Sequence, residues 1–122
     1  MVDDHRIVRK GLIELLNSTW DICGEAEDGT EAVEKVLELH PDLVIMDLVM
    51  PHITGTAATR AIRKLRPKTK IVFLSMHSSE TVGELSMLAG ADAYLTKGCS
   101  TELLKRTIAK LLDPLLADAA TA

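Results

Sequence analysis

The chain has 122 residues, of which 47% are hydrophobic and 26% are charged, and its net charge is −4. This length fits one globular domain, and the negative charge argues against direct nucleic-acid binding, which normally needs a basic surface. Because no apolar run approaches the roughly 18 residues of a membrane span, we expect a cytoplasmic protein with no membrane contact.

The N-terminal segment predicts a very short strand followed by a helix. Val2 is the strand residue, because the acidic pair Asp3-Asp4 follows it directly. A helix is predicted over residues 5–17, with an apolar face toward the core and a basic face toward solvent. The apolar face consists of Val8, Leu12, Leu15 and Leu16, and the basic face includes Arg6, Arg9 and Lys10.

The next segment predicts a strand, a helix and a fully buried strand. Residues 20–26 are typical of a short mixed strand, and a helix over residues 31–39, capped by Thr30, stops before a proline. The unbroken apolar run 43–46 is typical of a strand that is buried on both faces of a parallel sheet. Asp47 follows this strand directly.

Helices and strands continue to alternate in the second half of the chain. They are a helix with Ala58, Ala61, Ile62 and Leu65 on one side, a strand over 70–75 ending in Ser75, a helix over 78–89 stopped by Gly90, a strand over 91–96 followed by Lys97, and a helix over 100–112. The alternation predicts an α/β fold with a doubly wound, parallel, five-stranded sheet. We expect one folded domain over residues 1–113, with residues 114–122 as a tail or the start of a linker.

Polar residues follow four of these strands, and the carboxyl ends of parallel strands share one edge of a sheet. They are the carboxylates Asp3, Asp4 and Asp47, the hydroxyl Ser75 and the ammonium Lys97. Three converging carboxylates predict a Mg²⁺ site, and the hydroxyl and the ammonium suit the oxygens of a phosphoryl group. The simplest chemistry for Asp47 is attack on a phosphoryl donor, which gives an aspartyl phosphate.

Four motifs carry a resemblance to a known family. They are Val2-Asp3-Asp4-His5, Met46 to Pro51 with Gly55 eight residues after Asp47, Leu74 to His77, and Tyr94 to Lys97. In order and spacing they resemble the receiver domain of two-component response regulators, whose CheY-like sheet has the strand order 2-1-3-4-5. The stretches His5 to Leu12 and Ser75 to His77, with Gly98 after Lys97, look like the NarL/FixJ type, in which a DNA-binding LuxR-type helix-turn-helix usually follows.

The resemblance implies a role for each motif residue. Asp47 would be the phosphoacceptor for a histidine kinase, Ser75 would hydrogen-bond the phosphoryl group, and Lys97 would pair with it. Tyr94 resembles a switch residue that moves inward when the Ser75 hydroxyl is drawn to the phosphate. The Mg²⁺ ligands would be Asp3, Asp4, Asp47 and the backbone carbonyl of Val49. The implied output is transcription regulation, with a phosphorylation-dependent homodimer as one candidate.

Three alternative functions compete with this one. A haloacid-dehalogenase-like phosphatase has a second Asp two residues after its nucleophile, where this chain has Val49, so we do not expect a turnover enzyme. A flavodoxin-like flavin module needs a Ser/Thr/Gly-rich phosphate loop, where this chain has the acidic pair Asp3-Asp4. The remaining alternative is a receiver-like interaction module that is not phosphorylated.

The first strand departs from the family pattern because only Met1 and Val2 precede the acidic pair. In the family this strand is longer and lies inside the sheet. A missing inner strand leaves buried backbone groups unpaired, at about 1–3 kcal/mol each. We therefore expect that Met1 is not the natural start, and that the chain as printed is marginally stable or depends on another chain to supply the strand.

Overall fold

The structure, a computed structural model, describes residues 1–3, 6–47, 54–75, 87 and 89–112. Its elements are α1 (Arg6–Asn17), α2 (Gly29–Leu39), β1 (Leu43–Met46), α3 (Gly55–Leu65), β2 (Lys70–Ser75), β3 (Ala93–Thr96) and α4 (Thr101–Leu112). The helix predicted over 78–89 lies almost entirely outside the described residues. Within the described ranges, the helices are too short and too polar to cross a membrane.

The sheet is parallel, with β2 between β1 and β3. Val2 extends it by isolated parallel bridges to Met46 on one side and to Ala26 on the other. From edge to edge, the segments are therefore residue 26, residue 2, β1, β2 and β3. This is the predicted order 2-1-3-4-5, and the α/β fold with a shortened first strand is confirmed.

The strand predicted over 20–26 is reduced to the single bridging residue Ala26. Its inner neighbour in the sheet is Val2, with which Ala26 forms one isolated parallel bridge. The ladder bonds at this place run from Asp3 N to the Ala26 oxygen (3.1 Å) and from Ala26 N to the Met1 oxygen (3.0 Å).

Helices cover both faces of the sheet. Successive strand residues point to opposite faces, so each strand contributes to two separate apolar clusters. The cluster under α2 and α3 includes Val36, Met46, Ile62 and Phe73. The cluster under α1 and α4 includes Leu16, Ile45, Leu104 and Ile108. This two-sided burial confirms the doubly wound arrangement and explains why β1 has no polar side.

The buried side of α1 is rotated from the predicted one. Arg9 is only 5% exposed, whereas Val8 is 40% exposed. Arg9 lies two turns before Leu16, on the same side of the helix, and Leu16 is 1% exposed. The prediction that Arg9 lies on the solvated face is therefore wrong, because acidic partners from a neighbouring segment compensate its charge.

Two other local predictions also need correction. Asp28 rather than Thr30 caps α2, since its carboxylate accepts a hydrogen bond from Glu31 N at 2.9 Å. Leu65 was placed on the buried side of α3 but is 47% exposed. It is the last residue of that helix.

A cavity of about 330 Å³ lies beside the amino-terminal start of β1. Its wall includes Trp20, Ile22, Leu43, Ile108 and Leu112. It therefore lies at the opposite end of β1 from Asp47, and it is not the site described next.

Candidate functional site

Asp3 and Asp47 stand side by side because their strands are hydrogen-bonded in register. Val2 N donates to the Ile45 oxygen at 2.8 Å, and Asp47 N donates to the Val2 oxygen at 2.9 Å. Each aspartate directly follows a bridging residue, so both leave the sheet at the same edge. Asp3 is 2% exposed and Asp47 is 6% exposed. The two carboxylates therefore lie together at this edge of the sheet, as the sequence predicted.

Lys97 joins the two carboxylates. Its Nζ lies 2.8 Å from Asp3 Oδ2 and 3.1 Å from Asp47 Oδ2. Burial of the ammonium lowers the pKa of Lys97, but hydrogen bonds and Coulombic attraction from Asp3 and Asp47 outweigh this effect, so the pKa is raised above its ordinary value. Lys97 is therefore a firmly charged cation at neutral pH, held at the end of β3.

Ser75 reaches the same edge at the end of β2. It pairs with Thr96 across β2 and β3. The backbone N–H of Lys97 donates to the backbone carbonyl oxygen of Ser75 at 2.7 Å. Ser75 is 1% exposed. Four of the predicted residues, Asp3, Asp47, Ser75 and Lys97, therefore end their strands at one edge of the sheet.

The donor set suits a hard cation. Two buried carboxylates share one ammonium, so the described part of the site keeps an excess negative charge that a divalent cation with oxygen ligands would neutralise. Among the residues that the structure describes, no three potential ligands converge on one point. Asp4 and Val49, which complete the predicted set, lie outside the described residues.

Tyr94 lies on β3, opposite Phe73 on β2. It is partly buried and packs against the cluster under α2 and α3. The ring is thus at the margin of the core, two residues before Thr96, whose partner is Ser75.

Sequence reasoning missed Arg9, which touches the acidic strand end. Its Nη1 donates to the Asp3 backbone oxygen at 2.6 Å, and its other nitrogens pair with Glu25 and Glu27. The signal was the spacing of three and seven residues from Arg9 to Leu12 and Leu16, which places Arg9 on their face of the helix.

A family model for the response regulator receiver domain matches residues 1–109. The chain belongs to this family. The receiver domain is 36% identical over 111 residues to the response regulator protein VraR of Staphylococcus saprophyticus, an alignment that covers 89% of this chain and 53% of VraR. It thus spans about half the length of the curated relatives it matches first.

Solved structures agree with this assignment. A LuxR-family two-component response regulator from Aurantimonas sp. SI85-9A1 has a TM-score of 0.83 at 32% identity, covering 99% of this chain and 95% of that one. The receiver domain of Saccharomyces cerevisiae Ssk1, crystallised with the histidine phosphotransfer protein Ypd1, has a TM-score of 0.83 at 26% identity, covering 90% and 84%. The predicted NarL/FixJ type and the role in a two-component system are confirmed.

Proposed function

We propose that this receiver domain accepts a phosphoryl group on Asp47 from the phosphohistidine of a histidine kinase, with Mg²⁺ bound. The observation that carries the proposal is the position of Lys97, whose ammonium touches both Asp3 and Asp47. A lone strand-end aspartate needs no such neighbours. Two buried carboxylates that share one ammonium leave an excess negative charge, which a divalent cation at the site would neutralise.

Each residue has a part in the transfer. A carboxylate oxygen of Asp47 attacks the phosphorus, an O–P bond forms, the P–N bond breaks, and its electron pair stays on the imidazole nitrogen of the donor. Lys97 pairs with an oxygen of the transferred group, and the Ser75 hydroxyl donates to another. The role of the protein is therefore to position the group and neutralise its charge, as a signalling domain rather than a turnover enzyme.

Receiver domains bind Mg²⁺ in general. In this chain the ligands would be Asp3, Asp4, Asp47 and the backbone carbonyl of Val49. The cation, when bound, supplies positive charge for the phosphoryl oxygens. The excess negative charge of the Asp3–Asp47–Lys97 cluster supports this assignment.

The proposed output is a change of surface. Attraction of the Ser75 hydroxyl to the phosphoryl group would let Tyr94 move inward and alter the surface around β3 and α4. A homodimer in the cytoplasm is one candidate consequence. LuxR-family relatives support transcription regulation through a DNA-binding domain beyond this receiver domain.

The test is phosphorylation by acetyl phosphate and Mg²⁺, read by intact mass. The unaltered chain should gain one phosphoryl group, Asp47→Asn should gain none, and Asp42→Asn, an exposed aspartate near the start of β1, should label normally. Sedimentation of the labelled sample reports dimerisation. A chain that gains no mass, or an Asp47→Asn variant that still labels, would refute the proposal; the first result would favour the interaction module that is not phosphorylated.

A further inference from the structure

Arg9 is a buried cation with three separate contacts. Nη1 donates to the backbone oxygen of Asp3 at 2.6 Å, Nε donates to Glu25 Oε1 at 2.9 Å, and Nη2 lies 3.4 Å from Glu27 Oε1. The side chain of Arg9 is 6% exposed, while those of Glu25 and Glu27 are 45% and 67% exposed. The buried end of this contact set is thus the peptide group of Asp3.

The three contacts join the two shortest members of the sheet. Asp3 follows Val2, and Glu25 and Glu27 flank Ala26, while Val2 and Ala26 pair by a single bridge. One bridge holds a strand end loosely, because a ladder gains strength from several successive pairs. The planar guanidinium of Arg9 adds contacts between these two segments, which their single bridge does not provide.

The bond from Arg9 Nη1 holds the backbone carbonyl of Asp3 in place. Asp3 N is already held by the Ala26 oxygen at 3.1 Å, so Arg9 secures the other side of the same residue. Both backbone groups of Asp3 are thus hydrogen-bonded, and its carboxylate Oδ2 lies 2.8 Å from Lys97 Nζ.

We propose that Arg9 is a positioning residue for the metal site. It holds Asp3 in the geometry that Mg²⁺ requires, without touching the ion. This inference rests on the proposed function, in which Asp3 and Asp4 are ligands. Mg²⁺ demands nearly ideal octahedral geometry, so a small displacement of Asp3 weakens binding. Partners that orient ligands in this way typically contribute about 10- to 100-fold to metal affinity.

The sign of the effect separates positioning from charge. Removal of a cation near a cation site reduces electrostatic repulsion and on that ground alone tightens Mg²⁺ binding. Loss of positioning weakens it. A purely structural role would lower thermal stability and leave the Mg²⁺ affinity of the folded protein unchanged.

The experiment measures the Mg²⁺ dissociation constant of the full chain by isothermal titration calorimetry, at a temperature where circular dichroism shows each variant to be folded. Arg9→Met should raise the constant about tenfold. Arg9→Lys keeps the charge but not the fork, so it should raise the constant only about threefold, a partial rescue. Arg6→Met, an exposed arginine of the same helix, is the matched control and should change nothing.

Each outcome decides. If the unaltered chain binds Mg²⁺ and Arg9→Met binds it as tightly or more tightly, Arg9 has no positioning role and the proposed function stands. If the unaltered chain binds no Mg²⁺, the proposed function fails first. Should Arg9→Met not fold, Arg9→Lys decides alone, and a dissociation constant equal to that of the unaltered chain overturns the inference.

Discussion

Lys97 is the residue on which the charge balance of the site depends. Its side chain is 9% exposed, and those of Asp3 and Asp47 are 3% and 7% exposed. Charges so deeply buried are costly unless they are paired, and removal of one partner leaves the other uncompensated. The same residues that we propose for phosphoryl transfer are therefore expected to limit stability.

We expect Lys97→Met to lower the free energy of unfolding by about 3 kcal/mol without Mg²⁺, because two buried carboxylates lose their only described cation. Added Mg²⁺ should recover more stability in this variant than in the unaltered chain, since the ion then meets no competing ammonium. Urea unfolding with and without Mg²⁺ measures both effects.

The pH of this experiment follows from the raised pKa of Lys97. A group whose pKa is raised on folding contributes its full stability below the unfolded value, about 10.4 for lysine, and loses it as the pH rises through the folded value. A measurement at pH 7 therefore contains the whole contribution. Lys110→Met, at an exposed position of α4, is the control. Equal stability of Lys97→Met and Lys110→Met would contradict the pairing.

In the described part of the chain, α2, α3 and α4 begin with side-chain caps that tie them to the residues before them. Asp28, Thr54 and Ser100 accept hydrogen bonds from the backbone three residues on. Arg63 connects α3 to the segment before β3, because it donates to the backbone oxygen of Gly90 and pairs with Asp92 at 2.8 Å. The caps fix where α2, α3 and α4 start, and the contacts of Arg63 fix how α3 meets the start of β3.

Asp28→Ala should lower the free energy of unfolding by about 1 kcal/mol, because α2 loses the carboxylate that accepts from Glu31 N. Asp28→Ser should retain most of the stability, since serine is an equally good cap. Thr30→Ala, at the exposed residue that the sequence suggested as the cap, should change stability by less than about 0.5 kcal/mol. Denaturant unfolding ranks the three, and a larger loss for Thr30→Ala would restore the original assignment.

At the scale of the whole molecule, a cavity lies beside the amino-terminal start of β1. The ladder beside the cavity continues to Met1, whose N lies 3.4 Å from the Gly24 oxygen. Ile45 accepts from Val2 N, and the N–H and C=O of one strand residue face the same neighbour, so the Ile45 N–H faces the position before Met1. Apolar side chains such as Ile22, Leu43 and Ile108 line the cavity at this place.

A chain extended by five apolar strand residues before Met1 should be more stable by about 1–2 kcal/mol. Burial of roughly four apolar side chains contributes about 1.5–3 kcal/mol each, which is partly offset by about 1–2 kcal/mol of backbone entropy per residue. Thermal unfolding, with sedimentation to show that both forms are monomers, measures the difference. A Gly/Ser extension of equal length is the control; if both extensions give the same midpoint as the printed chain, the cavity does not accept a strand.

The sequence by itself determined the fold class and the edge that carries the site. Buried apolar runs alternate with amphipathic stretches, and parallel strands must end at one edge, so Asp47, Ser75 and Lys97 could be brought together without coordinates. The same reasoning could find Asp3, because it directly follows Val2. Hydrophobic periodicity depends on residues that are near one another in the chain, so it can be recognised from the sequence alone.

Only the tertiary structure decided which charges are buried and how far the strands pair. Arg9 is a surface residue by its type, and it is buried because Glu25, Glu27 and the Asp3 oxygen come from other segments. Ala26 pairs with Val2 through an isolated bridge, although the sequence around it permits a strand. The spacing to Leu12 and Leu16 indicates the helix face of Arg9, but the partners that compensate its charge come from segments distant in sequence, so local periodicity does not identify them.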